Sequence, residues 1–160
     1  MAGFEPGLHP AADRFPSVGR RAAVRADDDA DERAAALYRA YRSRGGVASG
    51  DEVAAALRPH SAQPISTLAR WIVARRVLSF NWRCQTLIPL FQFDLARMAL
   101  RDGVQEVIAE LAVALDEQEL ADWFVQPNAW LAGAAPADRV EHDVGAVLDA
   151  ARAGRFVAWG

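Results

Sequence analysis

The residues best suited to do chemistry are arginines set among small hydroxyl side chains in the middle of the chain. On a helical wheel of about 100° per residue, Ile65, Leu68, Ala69 and Ile72 share one arc of the segment Ile65 to Ala74. Ser66, Thr67, Arg70 and Ala74 take the opposite arc, with Trp71 on its border. Such a helix suits a DNA major groove, because small side chains let it approach the base edges and a guanidinium can fork onto guanine. Arg75 and Arg76 at the helix end and Arg83 in the following turn would then meet phosphates. The same spacing fits a core helix whose last arginines complement its own C-terminus, and periodicity does not separate the two. Trp71 and Trp82 are read as core residues, not as base-stacking platforms.

Enzymatic chemistry finds little support. The chain has no glycine-rich phosphate loop, nucleophile elbow, paired-cysteine motif or helical His-Glu-x-x-His. His9, His60 and His142 are far apart in sequence. Glu141-His142-Asp143 are consecutive, so on a helix they point in different directions, and a helix cap is the better reading. Asp116, Glu117, Glu119 and Asp122 suit a helix start, which favours anions. Cys84 has no activating partner nearby in sequence. We therefore expect no enzyme, no cofactor and no metal; a small hydrolase is the weakest alternative.

The elements that must position these residues are mostly helical. Residues 1–27 hold three prolines and scattered arginine without apolar periodicity and read as a disordered arm. Asp27-Asp28-Asp29 caps a helix to about Arg42, with Leu37, Tyr38 and Tyr41 on one stripe, stopped at Arg44-Gly45-Gly46. Ser49-Gly50-Asp51-Glu52 is a capping box opening a short helix from Glu52 to Leu57, which Pro59 closes. Pro64 opens the next helix, to Arg75. The period then becomes strand-like over 77–80 and 86–93, with a hairpin turn at 81–85. Val104, Val107, Ile108, Leu111 and Leu115 return to helical spacing, Leu120, Trp123 and Phe124 continue it, and Val144, Val147, Leu148 and Ala151 line a last helix that Gly154 ends. The fold class expected is mainly α with one β-hairpin: a helix-turn-helix or winged-helix-like unit over 28–101, then a small helical domain over 102–160.

With 160 residues, 52% of them hydrophobic and 24% charged, the chain has globular composition, without an apolar run of bilayer length or a secretory leader. A single cysteine excludes an internal disulfide and points to a reducing, cytoplasmic setting. All 18 basic residues are arginine, which reads as codon bias. The net charge of -3 hides a partition. Residues 1–57 carry eight Arg against nine acids, 58–101 seven Arg against Asp94 alone, and 102–160 three Arg against eleven acids. A basic middle beside an acidic C-terminal part argues for surfaces with different partners, polyanion and protein, unless the blocks neutralise each other inside one domain.

The stretch Trp123-Phe124-Val125-Gln126-Pro127-Asn128-Ala129-Trp130-Leu131-Ala132-Gly133-Ala134-Ala135-Pro136 resembles the signature of the Xre/MbcA/ParS toxin-binding domain: a Trp, then Pro-Asn, a Leu and Gly, and a Pro opening the next helix. Pro89 to Asp94 looks like the link to an N-terminal helix-turn-helix in one branch of that family, so the resemblance spans about 50–160. Ala132 and Ala134 depart from its usual polar or glycine positions. The resemblance implies an antitoxin of a type II toxin–antitoxin pair, which as a homodimer represses its operon on operator DNA and occludes a Res-type, NAD-consuming toxin. The toxin-binding set it suggests is Trp123, Phe124, Pro127, Asn128, Trp130, Leu131, Arg155, Phe156 and Trp159. Trp123 and Leu131 lean towards fold maintenance, whereas Phe124, Trp130 and the tail from Arg155 are the better contacts, since aromatic and arginine anchors dominate interfaces. The rival expectation is a stand-alone DNA-binding transcription regulator that uses its helical part for dimerisation.

Overall fold

The computed structural model describes residues 18–158, a mainly helical chain with a small antiparallel sheet. Its elements run α1 (Val18–Arg42), β1 (Val47–Ser49), α2 (Gly50–Leu57), α3 (Pro64–Val73), β2 (Phe80–Trp82), β3 (Gln85–Pro89), β4 (Phe93–Asp94), β5 (Ala99–Leu100), α4 (Asp102–Leu111), α5 (Glu117–Val125), α6 (Pro136–Arg139) and α7 (Val144–Ala158), with 3-10 turns at Leu90–Gln92 and Ala129–Leu131.

Helix α1 begins at Val18 rather than at Asp27, so the expected arm is helical over 18–27, while residues 1–17 lie outside the described residues. Alanines at 22, 23, 26 and 30, with Arg25 four residues before Asp29, favour helix over cap at this point. The segment from Arg25 to Arg33 is exposed, and burial starts at Ala34. The capping box of α2 is formed: Ser49 Oγ accepts from Glu52 N–H at 3.2 Å, and Glu52 Oε2 accepts from Ser49 N–H at 2.7 Å. Hydrogen bonding from the Ser49 backbone N–H, and then from the Ser49 side chain, holds the Glu52 carboxyl below its usual range. Asp116 and Glu119 form a second box at the start of α5. Gly154 does not end α7 but lies inside it, and a Cβ there would sit 3.5 Å from Trp123 Nε1.

Strand β1 is not visible in the sequence pattern. It pairs with β3 (Val47 opposite Pro89, Ala48 opposite Ile88), and β2 pairs with the other edge of β3 (Phe80 opposite Leu87), giving the order β1-β3-β2. Side chains alternate across a strand, and the two faces of this sheet serve different cores. Leu87 and Phe80 join Ala34, Leu37, Tyr41, Val107, Ile108, Phe124 and Val147 in the large cluster. Ile88 joins Val53, Leu57, Leu68, Val77, Phe93 and Met98 in a smaller one. The domain boundary expected between 101 and 102 therefore does not separate two cores, because α1 and β2 share theirs with α4, α5 and α7.

The strand expected over 86–93 breaks after Pro89, and Gln92 explains how. Its amide is fully buried and bonds the backbone as a strand neighbour would: Oε1 accepts from Leu78 N–H at 2.8 Å, and Nε2 donates to Leu78 O at 3.0 Å and Pro89 O at 2.8 Å. Phe93 and Asp94 then turn into a second, two-residue hairpin with Ala99 and Leu100.

Tyr41 ties α1 to the rest. It is fully buried, stacks against Phe91 (ring centroids 5.8 Å) and Phe80 (6.1 Å), and donates its hydroxyl to Ala121 O at 2.7 Å. Burial raises its pKa, so the phenol stays neutral and remains a donor. Tyr41→Phe is expected to cost about 1 kcal/mol by losing that bond, and Tyr41→Ala about 4 kcal/mol by opening a cavity, both read from the urea midpoint. Equal losses for the two variants would show that the hydroxyl, not the ring, carries the contact.

Candidate functional site

The outer ridge of α3 carries two of the six residues expected to meet DNA, Ser66 and Arg70. The helix docks through Leu68, with Trp71 tilted against Phe93 (6.3 Å) and Ile72 partly covered. The docked stripe is thus rotated towards Trp71, and Ile65, expected inside, is 75% exposed. Ser66, Arg70 and Val73 face solvent, and Thr67 is half-buried. Arg70 makes only weak contacts within its own helix, to Ser66 O at 3.3 Å and Thr67 Oγ1 at 3.4 Å, so its guanidinium is available to a ligand.

Arg83 sits at the tip of the β2–β3 hairpin. The turn consists of Arg83 and Cys84 alone, both left-handed (φ 48° and 61°). Two-residue hairpins demand this geometry and normally fill it with Asn or Gly, so the tip holds strain that an arginine and a cysteine do not relieve. The Arg83 guanidinium lies 4.9 Å above the Trp82 ring, whose other neighbour is Tyr38 of α1 at 5.1 Å. Trp82 is accordingly a half-buried prop for Arg83.

Arg75 must be withdrawn from the phosphate set. Its left-handed backbone (φ 51°) ends α3 and turns the side chain towards the α4–α5 connection. There Nη1 donates to Ala112 O at 2.7 Å and Nη2 to Leu115 O at 2.6 Å, satisfying carbonyls beyond the end of α4. The helix-terminus alternative is thus realised, but at another helix than its own. Arg76 is exposed and donates through Nε and Nη2 to Gln105 Oε1. Within the basic block, Arg101 pairs with Glu141 at 2.8 Å, and from the first block Arg44 makes a two-pronged pair with Asp138 (2.7 and 2.9 Å). Part of the charge partition is therefore internal. Among the described residues, Arg58, Arg70, Arg75, Arg76 and Arg83 of the basic block have no carboxylate partner, and neither do Arg39, Arg42 and Arg139 outside it.

The expected toxin-binding set divides in two. Phe124 is fully buried in the large core against Phe91 and Trp123, and Leu131 is 4% exposed, so neither is available to a partner. Helical spacing alone gave Phe124 no side, and its neighbours on α1 and the sheet turned it inward. Trp123 is half-buried. Asn128 organises the turn: Oδ1 accepts from Trp130 N–H, while its backbone bonds Leu131, Gly133 and Ala134. Pro127 is exposed, as are Trp130 (71%) and Phe156 (73%). Arg155 pairs with Glu110 at 2.9 Å, and Trp159 lies outside the described residues. Asp122, half-buried near Tyr41, has a raised pKa because desolvation outweighs the lowering by Arg33 and by Gln118. No group of three potential metal ligands occurs among the described residues, and Asp143 caps α7 through Ala146 N–H at 3.0 Å. No described helix is long and apolar enough to cross a membrane.

Two variants separate scaffold from surface. Arg75→Ala should destabilise by about 2 kcal/mol by leaving part-buried carbonyls unpaired. Replacing Arg83-Cys84 by Asn-Gly should stabilise by about 1 kcal/mol. Chemical denaturation reads both, and a neutral Arg75→Ala would return that residue to the phosphate set. No protein-family model, curated protein or solved structure matches the chain.

Proposed function

We propose that the chain is an antitoxin-like, non-enzymatic cytoplasmic regulator that binds operator DNA through α3 and the β2–β3 hairpin, and a cognate protein toxin through its C-terminal helices. The observation that carries the DNA half is topological. The order α1-β1-α2-α3-β2-β3, with strands in the order β1-β3-β2, supports a winged-helix reading of this unit. In that frame α3 is the reading helix, and the hairpin tip with Arg83 is the wing. Ser66 and Arg70 supply the small and forked groups for base edges, and Ile65 and Val73, both strongly exposed, supply apolar contact for thymine methyls.

The toxin half rests on the resemblance to the Xre/MbcA/ParS signature between Trp123 and Pro136, and on the exposure of Trp130 and Phe156 in a largely acidic segment. Exposed aromatics of this size are the usual anchors of a protein contact, and the acidic surface keeps nucleic acid away from it. The toxin would be of the Res type, consuming NAD, and a homodimer would match a two-fold operator.

Fluorescence anisotropy on the duplex upstream of the gene tests the first half. Arg70→Ala should weaken binding by about tenfold, with wild-type affinity falling steeply as salt rises; no salt-dependent binding would exclude the reading. Co-expression with the neighbouring gene product tests the second half. Trp130→Ala with Phe156→Ala should abolish rescue of growth at unchanged thermal stability, whereas rescue by the double variant, or a harmless neighbour, would leave a stand-alone regulator.

A further inference from the structure

Two arginines from separate parts of the chain, Arg76 and Arg97, line a cleft beside α3, and Arg70 reaches the Thr67 hydroxyl on its wall. On the α3 wheel, Ser66, Arg70 and Val73 form the outward ridge, and Ile65 and Ala69 turn from it towards the groove shared with Cys84 and Gln85 of the hairpin. Thr67 and Trp71 lie on the opposite flank and line the cleft, whose other walls are the α2–α3 turn with His60 and Ser61, Arg76 beyond the end of α3, and Arg97 on the β4–β5 turn.

The polar groups face one another. Ser61 Oγ and Thr67 Oγ1 are 3.0 Å apart, and Arg70 Nη2 reaches the same Thr67 hydroxyl at 3.4 Å. Arg97 is extended into solvent, its side chain 83% exposed and only loosely paired with Asp94 at 3.8 Å. The left-handed Met98 that follows it (φ 45°) keeps the turn tight while its own side chain is buried. One carboxylate, Asp102, lines the cleft against Arg76 and Arg97, with Arg70 at the rim, so positive charge prevails.

We infer that this cleft receives a backbone phosphodiester of the duplex read by α3, making the β4–β5 turn a second phosphate clamp on the flank away from the hairpin. The inference rests on the DNA reading above. A ridge seated in a major groove has one sugar-phosphate strand on each side. The hairpin tip with Arg83 meets one strand, and the cleft with Arg76 and Arg97 meets the other. Arg76 then keeps its bond to Gln105 as a positioning contact and turns its remaining donors to the phosphate, whereas Arg97 moves in from solvent.

The test is the salt dependence of duplex affinity by fluorescence anisotropy for the full chain and for Arg97→Ala, Arg97→Lys, Arg70→Ala and, as a control on α7, Arg152→Ala. Each neutralised phosphate contributes about 0.9 to the slope of log K against log salt. Arg97→Ala should therefore lower the steepness by about 0.9 and weaken binding several-fold, equally for specific and random duplexes. Arg97→Lys should restore the slope, and Arg152→Ala should match the wild type. Unfolding curves must show Arg97→Ala as stable as the wild type, which its exposure leads us to expect. An unchanged slope for Arg97→Ala, with Arg70→Ala still impaired, overturns the clamp and spares α3 as the reader. No duplex binding by the wild type overturns both. Pyrophosphate binding that needs Arg97, with duplex affinity indifferent to it, makes the cleft a small-anion site and also overturns the clamp.

Discussion

Strand β3 is buried on both faces over Leu87–Pro89: Leu87 lies in the large helical core and its neighbour Ile88 in the small one under α2 and α3. A strand apolar on both faces must be covered twice, and this requirement arranges the rest of the fold. One cover is the α2–α3 pair. The other is α1 with α4, α5 and α7, gathered around Tyr41. Because residues alternate along a strand, a slip of one position would exchange the two sets. The register is held by β1 and β2 on either edge and by the Gln92 amide, which stands in for a strand partner just where Pro89 ends the ladder.

That partition decides which charges are left for function. Folding the acidic C-terminal helices against the middle of the chain brings Arg101 to Glu141 and Arg44 to Asp138, and draws Arg75 onto the carbonyls after α4. Exposed pairs of this kind are worth about 0–1 kcal/mol each, and the Arg44–Asp138 pair lies within the larger cover, whereas Arg75 ties the end of α3 to the carbonyls after α4. Among the described residues, Arg58, Arg70, Arg76 and Arg83 are left without carboxylate partners around α2, α3 and the hairpin, as are Arg39 and Arg42 on α1 and Arg139 on α6, and Trp130 and Phe156 stay exposed in the C-terminal part. The separation of the α2–α3 arginines from the exposed aromatics thus emerges from packing after part of the raw charge difference has been cancelled.

Much of this was legible in the chain because it is local. The capping boxes at Ser49 and Asp116, the α4 stripe from Val104 to Leu111, Pro64 at the start of α3 and the 3.6-residue spacing all act within a few residues. What was not legible depends on distant partners. β1 is three residues long and exists only because β3 pairs with it; the strand expected to Phe93 stops because a side-chain amide fourteen positions from Leu78 replaces the ladder. The roles of Arg75, settled by carbonyls at 112 and 115, and of Phe124, settled by Phe91, are equally non-local. Ser66, Arg70 and Arg83 were identifiable as exposed polar groups, while Arg97 falls between the strand expected to end at 93 and the helical spacing that resumes at Val104. The left-handed turn at Met98 is the missing signal.

Amide chemical-shift mapping of the isotope-labelled chain during titration with a short duplex asks most directly whether the ridge of α3 is the surface offered to nucleic acid. The account predicts that shifts concentrate at Ser66, Arg70 and Val73 and at the Arg83–Cys84 tip, with α7 unmoved. Shifts confined to the C-terminal helices, or none above background at low salt, would contradict it.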